Sequence, residues 1–326
     1  MSSVRGMVER FNDLSLSLMK HTGGEKLAEH VYLFGSELSD REKPVPYTVS
    51  AIVHGNEIGG IASLNTFLEL MLSKTIDFKI PFLAFLGNVE AATRGVRFVE
   101  RDMNRSFNMN DFATHEARRA KEIEPFLLKS EFYLDIHQTK RPSKFGFFIF
   151  PYQKSSFDFA RAMLPAQPIV THWGSSFSSE GMCSDEFVNK RGGTGLTLEL
   201  GQNGVDPYHV ALGFQCIMAG YKVASSQVLG LDIAHAGRVG QLGDIYTWEQ
   251  VVSYPEQGVV SLDEGWDNFS PIKQGQRMGT AGSQPFYAPA SGYMIFPNYT
   301  PLVAGARRPA ELYRIMKVVS AEELPT

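Results

Sequence analysis

Short runs rich in β-branched and aromatic residues alternate with longer stretches of helical periodicity up to about residue 230. The short runs read as strands over Tyr47–Val53, Pro81–Leu86, Phe132–Ile136, Phe145–Phe150, Pro168–Thr171 and Gly195–Leu200. Between them, Ile61–Lys74, Thr114–Lys129 and Tyr208–Leu229 carry apolar residues at helical spacing, the second opened by a cap-like Thr-His-Glu-Ala turn. Such alternation predicts an α/β fold with a mostly parallel sheet flanked by helices. Three strands hand over to polar or turn residues at His54, His137 and Gly201. Ligands collect at the carboxyl ends of strands in open α/β sheets, so chemistry is expected there.

After Asp232 the pattern changes. Eight of the 17 prolines lie beyond it, and glycines recur at Gly237, Gly240, Gly243, Gly258, Gly265, Gly275, Gly279, Gly282 and Gly292. This punctuation suits short strands and turns, and divides the chain into an α/β unit over 1–232 and a small β-rich unit over 233–326.

Composition narrows the function. With 31 Lys and Arg against 35 Asp and Glu the 326-residue chain has a formal charge of −4, and its basic stretches (Arg118, Arg119, Lys121; Arg307, Arg308) are short, which argues against nucleic acid. No apolar run is long enough to span a bilayer and the amphipathic N-terminus carries acids, so neither a membrane segment nor a secretory signal is expected. Two cysteines, Cys183 and Cys216, form neither a zinc pattern nor a disulfide framework, which points to the cytoplasm. Phosphate-binding glycine loops and a Gly-x-Ser-x-Gly elbow are absent.

Four segments can carry chemistry. His54-Gly55-Asn56-Glu57 places an imidazole and a carboxylate three residues apart after an apolar strand, a pair that can converge on one zinc ion or simply meet at the surface. His137 ends a second strand 80 positions after Glu57, as the distant third ligand of a catalytic site would; a histidine satisfied by a backbone carbonyl is the alternative. Asp135 either orients that histidine or is a buried structural hydrogen-bonder. Glu199 is a solitary acid in the apolar run Leu196–Leu200, where desolvation raises a carboxyl pKa and suits it to general-base work, unless it lies at the strand's exposed end. The stretch from Arg94 to Arg105 holds four arginines, suited to carboxylates or a developing oxyanion, or else a solvated loop laced by its own acids. The other histidines, His21, His30, His115, His172, His209 and His235, have no partner at ligand spacing and read as structural or surface residues.

The ordered set HGNE, NVEAATRGVRFVERDMNRSF, DIHQT and LTLELG resembles the succinylglutamate desuccinylase/aspartoacylase family, a branch of the zinc carboxypeptidase-like fold. GQRMG and APASGYMIFP in the tail are similar to that family's C-terminal domain. The resemblance implies one zinc per chain held by His54, Glu57 and His137, with Glu199 as the base that activates water. It also implies that Arg97 polarises the scissile carbonyl and that Asn104 and Arg105 hold the carboxylate of a small anionic N-acyl amino acid. Two positions depart from the family's pattern: Asn88-Val89 replaces Asn-Pro, and Asn189, Lys190 and Arg191 stand where a further substrate arginine is expected. Hydrolysis of an acetyl- or succinyl-like acyl group is the leading expectation. A metallocarboxypeptidase and a non-catalytic binder on the same scaffold are the alternatives, and homo-oligomerisation is left open.

Overall fold

A computed structural model describes residues 3–35, 44–174, 181–231, 241–254, 260–299 and 310–325. The expected division at 232/233, His235, Arg307, Arg308 and the glycines at 237, 240 and 258 lie outside the described residues.

The chain opens with α1 (Val4–Thr22), an amphipathic helix capped by the Ser3 hydroxyl, which accepts from Gly6 N. Two short strands, β1 (Glu25–Ala28) and β2 (Val31–Phe34), lead to β3 (Val45–Ala51). There follow α2 (Gly59–Leu72), β4 (Phe82–Leu86), α3 (Val89–Thr93) and α4 (His115–Leu127), the last capped by Thr114 as its sequence indicates. The α/β half is completed by β5 (Ser130–Thr139), β6 (Phe147–Pro151), α5 (Lys154–Met163), β7 (Ile169–His172), α6 (Ser184–Lys190), β8 (Thr194–Gln202) and α7 (Pro207–Val228). All six expected strands and all three expected helices are present with shifted ends. The charged N-terminal helix and the short α3, α5 and α6 are additions that periodicity alone does not announce.

These strands form a mixed sheet of order β1-β2-β4-β3-β5-β8-β6-β7, in which β4, β3, β5 and β8 run parallel at the centre. Helices cover both faces, as expected for an α/β fold. One face packs Phe67, Leu64, Phe82, Leu134, Leu198 and Tyr221 beneath α1, α2, α5 and α7. The other packs Phe85, Tyr133, Met103, Phe107 and Ile123 beneath α4 and α6.

The remaining strands are β9 (Ile245–Ser253), β10 (Val260–Leu262), β11 (Pro271–Ile272), β12 (Arg277–Ala281), β13 (Gln284–Tyr287), β14 (Gly292–Ile295) and β15 (Glu311–Val319). They make the tail β-rich, as its proline and glycine content indicates. The same sheet continues into it: β9 pairs parallel with β7, and β15, β14 and β11 follow, giving 12 strands. A separate three-stranded sheet, β10-β12-β13, stands beside it. The tail has its own apolar cluster around Met278, Met294, Leu312 and Tyr313.

Candidate active site

The carboxyl ends of β3, β5 and β8 meet at one place. β3 stops two residues earlier than expected, because Ile52 adopts a left-handed backbone (φ 53°) that turns the chain out of the sheet. A β-branched residue is strained there and persists only where its surroundings over-determine it. They do so here, since Gly87 N donates to Ala51 O and Asn88 N to Ile52 O. The following turn lies flat against α3: a Cβ on Gly55 would fall 2.4 Å from Ala91 C and Ala92 N, so only glycine permits the approach. His54 and Glu57 are thereby held at either end of a buried loop.

On the neighbouring strand His137 is two residues inside β5 rather than after it, and it pairs across the ladder with Glu199 of β8. Paired residues of parallel strands project to the same face, so the sheet's register sets the histidine and the acid side by side. His54, Glu57 and His137 form a buried group able to hold a metal ion. His54 Nδ1 lies 3.0 Å from His137 Nδ1 and 3.0 Å from Glu57 Oε1, while His137 Nδ1 is 2.9 Å from Glu57 Oε2.

The opposite nitrogen of each imidazole is engaged by a carboxylate. His137 Nε2 is 2.9 Å from Asp135 Oδ2, and His54 Nε2 is 2.9 Å from Asp102 Oδ1. These partners place the ring protons on Nε2 and turn two Nδ1 lone pairs toward each other and toward Glu57. A shared cation resolves that crowding; without one, a proton must. Burial would lower the His137 pKa, yet Asp135 and Glu57 outweigh it and hold the imidazole well above its usual range. Burial would likewise raise Glu57, but His54 and His137 hold it well below the usual carboxylate range. This donor set, two imidazoles each backed by a carboxylate plus a third carboxylate, fits zinc.

Asp135 thus acts as the orienting group rather than a structural bystander. Its other contacts fix it in turn: Ser50 Oγ donates to Oδ1 at 2.6 Å and Ser184 Oγ to Oδ2 at 2.5 Å. Asp102 is a site residue that spacing did not single out. Only the folded arginine loop reveals it, although its place two residues before Asn104 was visible.

Glu199 is buried, and its Oε2 has no hydrogen-bond partner among the described residues. Burial first, and the Glu57 charge second, push its carboxyl up to about 8.

Arg97 Nη1 donates to Glu57 Oε1 at 2.8 Å. Its Nη2 also lies 2.8 Å from His54 Nε2, but that nitrogen carries a proton directed at Asp102, so the contact is not a hydrogen bond. The loop bearing Arg97 is pinned from beneath by Glu116 of α4, whose carboxylate accepts from Val99 N (2.6 Å), Glu100 N (3.2 Å), Arg101 N (3.1 Å) and Asn88 Nδ2 (3.0 Å). Asn88 Oδ1 caps α3 by accepting from Ala91 N. Val89 takes the first helical position, which proline also suits, so the departure from Asn-Pro leaves the turn intact.

Asn104 and Arg105 lie in a short 3₁₀ turn directly after Asp102. Asn104 Oδ1 accepts from Ser184 N at 3.0 Å, and Arg105 Nη1 lies 2.6 Å from Asn104 O and 3.0 Å from Cys183 Sγ. Asn189 is spent inside the fold, bonded to Gly195 and Ser156, while Lys190 pairs with Glu186 and Arg191 lies over Phe187. Lys140, at the end of β5, is drawn into the field of the centre: burial first and Arg97 second lower its pKa, against Glu57 and Asp102.

The model of the succinylglutamate desuccinylase/aspartoacylase catalytic domain matches residues 47–209, half of the chain, and covers every one of these residues. The chain belongs to the succinylglutamate desuccinylase/aspartoacylase family. A succinylglutamate desuccinylase of Shewanella denitrificans is 27% identical over 325 residues, covering 90% of this chain and 88% of that protein. One from Pseudomonas aeruginosa is 32% identical over 179 residues, 50% of this chain and 52% of its own length. Among solved structures, the succinylglutamate desuccinylase of Chromobacterium violaceum superposes with a TM-score of 0.68 at 18% identity, covering 96% and 98% of the two chains. Murine aminoacylase 3 gives 0.61 at 18% identity, covering 86% and 97%. These superpositions show the same fold over 96% and 86% of this chain.

Proposed function

We propose that this protein is a zinc-dependent amidohydrolase that removes an acetyl- or succinyl-like acyl group from an N-acyl amino acid. The observation that carries the reading is Glu199: a buried carboxyl paired across the ladder with His137, beside a His-Glu-His set whose imidazoles turn their lone pairs inward. His54 Nδ1, His137 Nδ1 and Glu57 would hold the ion. Zinc, when bound, supplies a lowered pKa to water and a positive charge facing the scissile carbonyl.

The chain's own residues do the rest. Glu199 Oε2 takes the proton of the attacking water, and returns it to the nitrogen of the departing amine. Arg97, the guanidinium at the edge of the ligand set, faces the negative charge that develops on the carbonyl oxygen. Arg105 and Asn104 hold the free carboxylate of the amino acid and so orient the amide. Asp135 and Asp102 each engage an imidazole Nε2, which orients the ring so that Nδ1 faces the metal side. A small anionic substrate accords with three cationic side chains, Arg97, Arg105 and Lys140, each within the field of Asp102. Two buried free thiols, Cys183 and Cys216, accord with a cytoplasmic setting. The tail's own apolar cluster supports a division into a catalytic unit over 1–232 and a β-rich unit over 233–326.

The deciding experiment is amine release by zinc-loaded protein from N-acetyl-, N-formyl- and N-succinyl-amino acids with acidic, basic and neutral side chains, alongside C-terminal release from peptides. Turnover of an N-acyl amino acid, abolished by chelation, is expected. Release only from peptides indicates a carboxypeptidase, and no stoichiometric zinc with no turnover indicates a binder.

A further inference from the structure

Gln138 follows the histidine ligand, so the alternation of β5 sends its side chain to the face opposite His137. There the carboxamide is buried and completely used. Its Oε1 accepts from Gly59 N at 2.7 Å and from Gly204 N at 3.3 Å, and its Nε2 donates to Gln202 O and Gly204 O, both at 3.0 Å. A carboxamide has two acceptor and two donor positions, and all four are filled. Only one orientation works, because the reverse would set its NH₂ against two backbone N–H groups. Its own backbone N–H donates to Glu57 Oε2 at 2.9 Å.

One residue therefore touches three parts of the centre. Gly59 opens α2 two residues after Glu57, and the helix has no cap from Ile58, its own N-cap residue; Gln138 supplies the acceptor from outside. Gln202 and Gly204 begin the loop that leaves β8 three residues after Glu199, and this loop lines a cleft of about 340 Å³ with Pro142, Ser143 and His209. The glycine at 59 is the counterpart of the contact, since a Cβ there would lie 2.8–2.9 Å from the carboxamide.

We propose that Gln138 is a positioning residue: its carboxamide locks the turn carrying His54 and Glu57 to the loop that follows Glu199, and so sets the spacing between the metal ligands and the base. The role assigned to Glu199 rests on the function proposed above; the clamp itself does not. Removing it leaves each half folded on its own strand but free to shift against the other. Partners outside the ligand shell of this kind change metal affinity by about 10–100-fold.

Two variants test this on the full chain, with circular dichroism confirming the fold. Gln138→Glu keeps both acceptor bonds and loses both donor bonds; Gly59→Ala wedges the turn away from an unaltered Gln138. Zinc affinity is measured by chelator competition, and backbone amide exchange at Gly59 and Gly204 by hydrogen–deuterium exchange. Expected are protected Gly59 and Gly204 amides in the wild type and in Gln138→Glu, faster exchange of the amide at position 59 in Gly59→Ala, and about tenfold weaker zinc binding in each variant. Where a substrate turns over, kcat falls more than KM rises. Wild-type zinc affinity in both folded variants, or unprotected Gly59 and Gly204 amides in the wild type, overturns the proposal. Neither readout needs a substrate, so failure to find deacylase activity would count against the proposed function and leave this result standing.

Discussion

Glu199 and His137 are partners across one ladder, and their surroundings raise both pKa values for different reasons: burial pushes the acid up to about 8, and flanking carboxylates hold the imidazole well above its usual range. For metal-free protein, a carboxyl raised from 4.5 to about 8 by folding binds its proton more tightly when folded, so stability is lost as pH rises through that window. Glu199→Gln removes the dependence, and metal-free Glu199→Gln is expected to melt at higher temperature than wild type at pH 8.5 and to differ little at pH 4. The same variant should bind zinc and lose about 10²-fold or more in kcat; a zinc-replete variant of wild-type rate would contradict the base assignment. His137 must shed its proton to bind metal and Glu199 must shed its own to act as base, so zinc uptake at pH 7 is expected to release protons, read by calorimetry in buffers of different ionisation enthalpy. Asp135→Asn, which costs His137 its charged partner, is expected to weaken zinc binding by about 10–100-fold. The His54, Glu57 and His137 group and Glu199 were legible from sequence because imidazole and carboxylate in apolar runs are chemically conspicuous. Asp102 was not, since an acid among arginines reads as loop solvation until its partner His54 is brought from 48 positions away.

The elements that aim these side chains were legible in kind and misjudged at their ends. Apolar runs announced β3 and β5, but the run through Val53 continues past the point where Ile52 leaves the sheet, because hydrophobicity reports burial and not backbone conformation. The arginine loop shows the same limit. Its four arginines left open a carboxylate or oxyanion site and a loop laced by its own acids; the structure pairs Arg94 with Glu90, Arg97 with Glu57 and Arg101 with Asp111. What shapes the loop is Glu116, an acid in the first turn of α4 that ordinary helix patterning assigns to solvent. Glu116→Gln leaves one amide oxygen where a carboxylate accepted from three backbone N–H groups, and each buried donor left unpaired costs about 1–3 kcal/mol. The variant is expected to melt several degrees lower, to lose kcat through a misplaced Arg97, and to bind zinc more weakly, because the same loop carries Asp102, the partner of His54 Nε2.

At the scale of the molecule, the tail is tied to the α/β half more closely than its change of composition suggests. Phe147, Ile149 and Val170 of β6 and β7 are buried with Tyr246, Phe269, Ile295 and Met316 of the tail. A chain ended at residue 231 would expose that apolar surface together with the open edge of β7, so it is expected to aggregate, as size-exclusion chromatography of the truncated protein would show. Among the described residues no helix is long and apolar enough to cross a membrane, in keeping with the hydropathy of the sequence. By itself the sequence determined the fold class, the order of the principal strands and helices, and the chemical types at the centre. Those are written locally, in periodicity of two or of about four and in the rarity of ionisable groups among apolar neighbours. Tertiary structure alone decided the rest: which strand ends face one another, which nitrogen of each histidine is turned inward, and which acids, Asp102 and Glu116 among them, serve the site. Register and approach bring together residues tens of positions apart, and no local pattern encodes a distance between them.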